Sequence, residues 1–327
     1  MRQEIGSEFW DVPVGKENHL FPKETQWFLS GRSALSSILK QISIKSVALP
    51  SWCCDSMILP FLRAGVRVEF YPVFFENGLV TDLSNVRTDA VLVLDYFGYT
   101  QEENVGFPGV VIRDVTHSVF SKNYADADYY FGSLRKWTGF WTGGFGWGFQ
   151  GQKMPEDVYY VQLRNQAMEE KSRYILGQTN SKDYLKVFAQ AEQWLDEKHD
   201  AGAADRDVEL AAKLDIDFMK SRRRINAKHL MEAFSDWTIF SAMAEEDCPL
   251  FVPVLVPDGQ RDALRKYLIS KEIYCPVHWP LSEYHKIAPD CRELYENELS
   301  LICDQRYTLR DMDRLIETVN EFLKGNV

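Results

Sequence analysis

No run of this 327-residue chain is long and apolar enough to read as a membrane span. Cysteine is sparse: Cys53 and Cys54 are adjacent, while Cys248, Cys275, Cys291 and Cys303 are scattered without metal-type spacing. A structural metal site is therefore not expected. Basic residues are also in deficit, with 37 Lys and Arg against 48 Asp and Glu and a net charge of −11. That balance argues against a general nucleic-acid or anionic-membrane surface. It leaves room for a small anionic ligand in a locally basic pocket. The opening segment MRQEIGSEFWDVP is polar and aromatic, unlike a secretory signal. A cytoplasmic protein with reduced thiols is the simple expectation.

What is present is a chain of ordinary globular composition, 45% hydrophobic and 26% charged. Its length exceeds the usual single-domain size, so two domains are expected. The periodicities divide it into a large domain over 1–235, with an N-terminal arm and a long connecting helix, and a small α/β domain over 236–327. Residues 1–25 have no strong period and read as an arm with local turns. Val66–Val73 alternates like a strand and runs into the turn Glu76-Asn77-Gly78. Ala90–Leu94 is nearly continuously apolar, as in a strand covered on both faces. Glu156–Glu197 is helical and charged, and Val208–Phe234 reads as one long helix or two with a break. Leu250–Val256 and Ile273–Val277 read as strands, Gly259–Ser270 and Thr308–Phe322 as helices.

The most informative stretch is Val110–Phe149. Val110–Ile112 predicts a short β-branched strand that delivers Asp114 at its carboxyl end. Tyr129–Phe131 predicts a second that delivers Ser133 and Lys136, ahead of the turn Thr142-Gly143-Gly144-Phe145-Gly146. In open α/β sheets ligands bind outside the carboxyl ends of the strands, so this carboxylate and this amine would face one ligand. Lysine forms Schiff bases with carbonyl compounds, and PLP enzymes pair that lysine with an aspartate on the pyridinium nitrogen. Partial burial, with Arg135 beside it, would disfavour protonated Lys136 and favour the nucleophile. Upstream, Trp27-Phe28-Leu29 leads into Ser30-Gly31-Arg32-Ser33 and the helical pattern Ala34–Ile42. The unpaired N–H groups of such a helix start suit a phosphate.

RDVTHSVFS, GSLRKWTGFWTGG and LSGRSAL resemble the corresponding segments of the DegT/DnrJ/EryC1 sugar aminotransferases. The resemblance runs from about Glu8 to the C-terminus and is strongest at Asp114, His117 and Lys136. It implies a fold-type I PLP transferase: an α/β fold whose large domain holds a mixed, mostly parallel sheet flanked by helices. It further implies pyridoxal 5'-phosphate as cofactor. The implied contacts are Gly31, Arg32, Ser33 and Ser133 around the phosphate and Asp114 on the ring nitrogen. His117 would lie near the ring or its O3′, Trp52 would stack on the ring, and Lys136 would form the Schiff base. Asn180, in a loop resembling the family's glycine–asparagine loop, would reach a partner subunit's cofactor in a homodimer. His278 would face the substrate region, and an arginine of the Arg222-Arg223-Arg224 triplet, Arg222, is a candidate for a substrate phosphate. Alone, that triplet reads more simply as a solvated helix face. One departure stands out. Many family members carry Ser-Phe-His ahead of the lysine, with serine five residues before it; here Phe131 holds that place and Ser133 lies three before.

The activity implied is transfer of an amino group from an amino-acid donor, glutamate, to a nucleotide-linked keto sugar in polysaccharide or deoxysugar biosynthesis. The alternatives are a PLP-dependent lyase or dehydratase on the same scaffold, and a catalytically idle PLP-fold binding or regulatory protein. Sugar-dehydrating relatives replace the lysine with histidine, so Lys136 counts against that chemistry.

Overall fold

The computed structural model describes residues 4–100, 106–121, 126–198, 200–285 and 291–325. In its first half the chain runs through β1 (Ile5–Gly6), β2 (Gln26–Phe28), α1 (Gly31–Leu39), β3 (Ser46–Pro50), α2 (Asp55–Arg63) and β4 (Arg67–Tyr71). A hairpin of β5 (Val73–Phe75) and β6 (Leu79–Thr81) follows, then β7 (Ala90–Leu94), β8 (Val110–Asp114), β9 (Tyr129–Ser133) and β10 (Gly144–Trp147). The hairpin turns where Asn77 takes φ 56° and Gly78 φ 149°, the conformations a tight reversal demands.

Seven of these strands form one sheet in the order β2-β10-β9-β8-β7-β3-β4. Strands β4, β3, β7, β8 and β9 are mutually parallel, and β10 runs antiparallel to both β9 and β2. The expected mixed, mostly parallel α/β sheet is what the chain forms. β7 sits between β8 and β3, and all five of its residues, AVLVL, are buried. An uninterrupted apolar run satisfies both covered faces at once. On β8 the buried Arg113 is compensated by an ion pair with Asp95, without which a charge in the sheet interior would be very costly.

The helical stretches divide at capping residues. α3 (Val158–Ile175) begins where the Asp157 side chain accepts from Tyr160 N–H at 2.9 Å, and α4 (Tyr184–Glu197) packs against it. α5 (Asp205–Ala211) and α6 (Ile216–Ala233) are separate, because Asp215 caps α6 through Phe218 N–H at 3.1 Å.

The remainder comprises β11 (Val252–Leu255), α7 (Arg261–Ser270), β12 (Ile273–Tyr274), α8 (Arg292–Asn297), β13 (Glu298–Leu301) and α9 (Leu309–Gly325). Leu230, Val254, Leu264, Leu299 and Leu315 form a second core that also takes in Ile5 from the other end of the chain. The N-terminal arm is thus more than local turns. β1 pairs in parallel with β12, and Gly6 N–H donates to the Tyr307 hydroxyl at 2.8 Å. Among the described residues no helix is long and apolar enough to cross a membrane, and no cluster of His, Cys, Asp and Glu could hold a metal ion.

Candidate active site

The site forms where the carboxyl ends of β8 and β9 meet the amino end of α1. Asp114 is the last residue of β8 and pairs in register with Phe131 of β9. β9 ends at Ser133 and passes into a single 3-10 turn, Leu134–Lys136. β10 then returns alongside, its Gly144 opposite both Ser133 and Phe28. Glycine is required here: a Cβ on Gly144 would stand 2.2 Å from the Ser30 backbone. A Cβ on Gly31 would lie 3.3 Å from the Gly132 carbonyl oxygen and 3.7 Å from Ser133 Cβ. The first turn of α1 is therefore pressed against the ends of β9 and β10.

A cavity of about 410 Å³ opens at this junction, and Gly31, Arg32, Asp114, His117, Ser133 and Lys136 all line it. Six residues singled out from the sequence thus share one space. Within α1 the Ser30 side chain accepts from Ser33 N–H at 3.2 Å. That leaves the N–H groups of Gly31 and Arg32 for an external acceptor. The Ser133 hydroxyl caps no helix and makes no hydrogen bond among the described residues. Arg32 has its guanidinium tied to Asp196 at 2.5 Å.

Asp114 is buried, and Oδ1 accepts from Thr116 N–H at 2.8 Å. Burial pushes its carboxyl up to about 6, although the Thr116 hydrogen bonds pull the other way. His117 is buried too, and burial first, with Lys136 second, lowers its imidazole to about 3. It is a neutral ring. Its Nδ1 accepts from Phe97 N–H at 3.4 Å, which puts its proton on Nε2.

No protein-family model matches the chain, and no curated protein does. Solved structures do. A DegT DnrJ EryC1 StrS aminotransferase from Brucella abortus aligns over 94% of this chain and 86% of its own, with TM-score 0.62 and 15% identity. The sugar aminotransferase CalS13 from Micromonospora echinospora covers 91% of this chain and 87% of its own, with TM-score 0.60 and 14% identity. Spr1654 from Streptococcus pneumoniae, in its PLP form, covers 93% and 88%, with TM-score 0.62 and 14% identity. The chain has the fold of the sugar aminotransferases.

Within this aminotransferase fold several expected contacts fall elsewhere. Trp52 is wholly buried behind the cavity, stacked on Tyr96 at 5.1 Å, with its Nε1–H on the His278 carbonyl at 2.7 Å. It offers no face to a ligand. The tryptophan on the cavity wall is Trp279, whose ring lies nearly parallel to His117, 17° apart with centroids at 5.7 Å. Ser33 is buried in the cap of α1, its hydroxyl 3.1 Å from that of Ser30. Asn180 lies exposed in the loop between α3 and α4, and lines neither of the two cavities near Lys136. His278 is one layer behind the wall, its Nδ1 2.8 Å from Ser300 Oγ, which itself donates to Glu298 at 2.5 Å.

Lys136 corrects a second expectation, since it is exposed in the single chain rather than partly buried. The Arg135 guanidinium beside it is paired with Glu192. Arg222 is half-buried and lines neither cavity near Lys136. Its neighbour Arg223 departs from the solvated helix face. It is fully buried and donates to the carbonyls of Pro249, Leu250 and Trp137 and to the Gln305 side chain. Arg223 thereby braces Trp137, the residue next to Lys136. A tryptophan beside Pro276-Val-His, and an arginine triplet with one member at core spacing, were the only sequence signals for Trp279 and Arg223.

Proposed function

We propose that this chain is a PLP-dependent aminotransferase that moves an amino group from glutamate to a nucleotide-linked keto sugar. What carries the proposal is the single cavity bounded by Asp114, Lys136 and the amino end of α1. The donor set suits PLP at each end. The Gly31 and Arg32 N–H groups and the uncommitted Ser133 hydroxyl match a phosphate. The buried Asp114 carboxyl matches a protonated ring nitrogen, and Lys136 matches an aldehyde. When bound, PLP would supply the electron sink that acidifies the donor's Cα–H.

The protein's own groups would do the rest. Asp114, raised by burial, gains from a cation at Oδ2 and so would favour the protonated ring. Lys136 Nζ would anchor the cofactor and then, freed by the donor amine, carry the Cα proton as base and acid. His117 would offer its Nε2–H to the ring or its oxygen while Trp279 fixes the imidazole plane from the other side. The names of the structural neighbours support a sugar as acceptor, and the PLP form of Spr1654 supports the cofactor. A homodimer, and a place in polysaccharide or deoxysugar synthesis in the cytoplasm, belong to the same proposal.

The test is to add PLP to the purified protein, reduce with borohydride and map the modified peptide, with Lys136→Ala alongside. Modification at Lys136 alone, abolished by the substitution, and a visible band that glutamate discharges are the expected results. Modification spread over surface lysines would remove Lys136 as the anchor. A Lys136 adduct that glutamate leaves untouched would exclude the donor.

A further inference from the structure

Beside Lys136 five polar side chains meet: Arg135 of the lysine turn, Tyr160 and Arg164 of α3, Glu192 of α4, and Glu8 of the N-terminal arm. Glu192 Oε1 is ion-paired with Arg135 and also lies 3.7 Å from Arg164 Nη1. Glu8 Oε2 lies 3.9 Å from that same nitrogen. One carboxylate oxygen therefore already sits between two guanidiniums. The pairing is incomplete. Arg135 Nε, Arg164 Nε and Nη1, and the Tyr160 hydroxyl are all buried without a hydrogen bond. Buried donors are rarely left so in a finished site.

The two halves of this cluster differ in exposure. The Arg164 side chain is 2% exposed, and its guanidinium packs over the Phe188 ring at 4.8 Å. Glu8 and Glu192 are each 45% exposed. Burial alone raises the Glu192 carboxyl, yet Arg135 and Arg164 hold it below its ordinary value, so it is an anion there. Three cations, Arg135, Arg164 and Lys136, stand against these two carboxylates. Arg135, Lys136 and Glu8 line both the 410 Å³ cavity and a second one of about 290 Å³ on the side of the N-terminal arm.

We propose that Arg135 and Arg164 form a substrate fork that takes an anionic oxygen group, carboxylate or phosphate, in place of Glu192. Its role in turnover rests on the aminotransferase function above. The exchange breaks an ion pair and makes another, with no covalent step. Glu192 is tethered to α4 and pairs closely with only one guanidinium. A free carboxylate or phosphate can present two oxygens, one to each arginine, and satisfy the orphaned nitrogens. Once displaced, Glu192 turns to water, which its exposure allows. The anion would then be fixed beside Lys136, orienting the reacting end of the substrate toward the amine.

Calorimetric titration of the full-length protein with glutarate and, separately, with uridine diphosphate tests this. The two probes distinguish an amino-acid carboxylate from a nucleotide phosphate as the source of the anion. Glu192→Gln removes the resident competitor and should tighten binding of one probe by about tenfold. Arg135→Gln should weaken that probe by about tenfold to a hundredfold, the scale of one charged hydrogen bond. The responding probe names the source. If neither probe binds the wild type, or if a folded Glu192→Gln protein binds no tighter, the fork is refuted. Lys136 adduct formation on the same samples is independent, so its loss would count against the aminotransferase chemistry and not against the fork.

Discussion

Replacing Asp114 by asparagine should stabilise the cofactor-free protein while weakening its hold on PLP. The carboxyl is buried beside one backbone donor, and its folded value of about 6 lies above the ordinary 3.8. A carboxylate raised on folding contributes its full stability below the unfolded value, and loses it as pH rises through the folded one. The difference of about two units corresponds to roughly 3 kcal/mol, all of it forfeited above about pH 7. Asparagine keeps an oxygen for the Thr116 N–H and carries no charge. Urea unfolding of both apo proteins from about pH 4 to about pH 8 should show wild-type stability sinking by that amount relative to the variant. The curves should converge at the acid end. A variant less stable than wild type at the alkaline end, or a parallel pair of curves, would refute the desolvation account. With PLP present the order should reverse, because the ring cation loses its partner.

Two further substitutions probe what holds the lysine turn. Arg223→Met removes the guanidinium that donates to the Pro249, Leu250 and Trp137 carbonyls, leaving Leu250 without a side-chain donor and Trp137 with Gln305 alone, and should cost roughly 3–5 kcal/mol in denaturant unfolding, with no rescue from lysine. A loss under about 0.5 kcal/mol would return Arg223 to the ordinary surface class. Gly144→Ala places a methyl 2.2 Å from the Ser30 backbone, so α1 must move away from Ser133. PLP affinity should fall by about tenfold or more, the scale of one charged hydrogen bond, and unchanged affinity would separate the α1 terminus from the phosphate.

The parts legible in the sequence were those where a local pattern and the chemistry coincide. β7 announces itself as an apolar run and β8 as a β-branched one; Asp114 follows from where β8 stops and Lys136 from where β9 stops. Contacts that depend on distant chain segments carry no local mark. Trp52 and Trp279 are equally aromatic, and only the approach of the segment after β12 decides which one meets the cavity. β13 reads Glu-Leu-Ser-Leu, which suggests one wet face, yet all four residues are buried. Its polar members bond to each other and to His278. The fork is hidden for the same reason, because Glu8, Arg135, Arg164 and Glu192 lie far apart in sequence and each alone looks like a surface charge.

The pairing of β1 with β12 has a temporal side. Ile5 and Gly6 lie against Ile273 and Tyr274, and Gly6 also bonds to Tyr307. A ribosome makes the β1 residues before the parallel sheet and the β12 residues after it. β1 must therefore wait for its strand partner through the synthesis of the parallel sheet and all of α3 to α6. Closing so long a loop adds little extra entropy cost per residue, but non-local closure is slow. During that interval the carbonyl and N–H edge of β1 has no strand to pair with, the kind of open edge that favours misassembly. The strand-like edge of β12 has no such wait, since its partner is already present when it emerges.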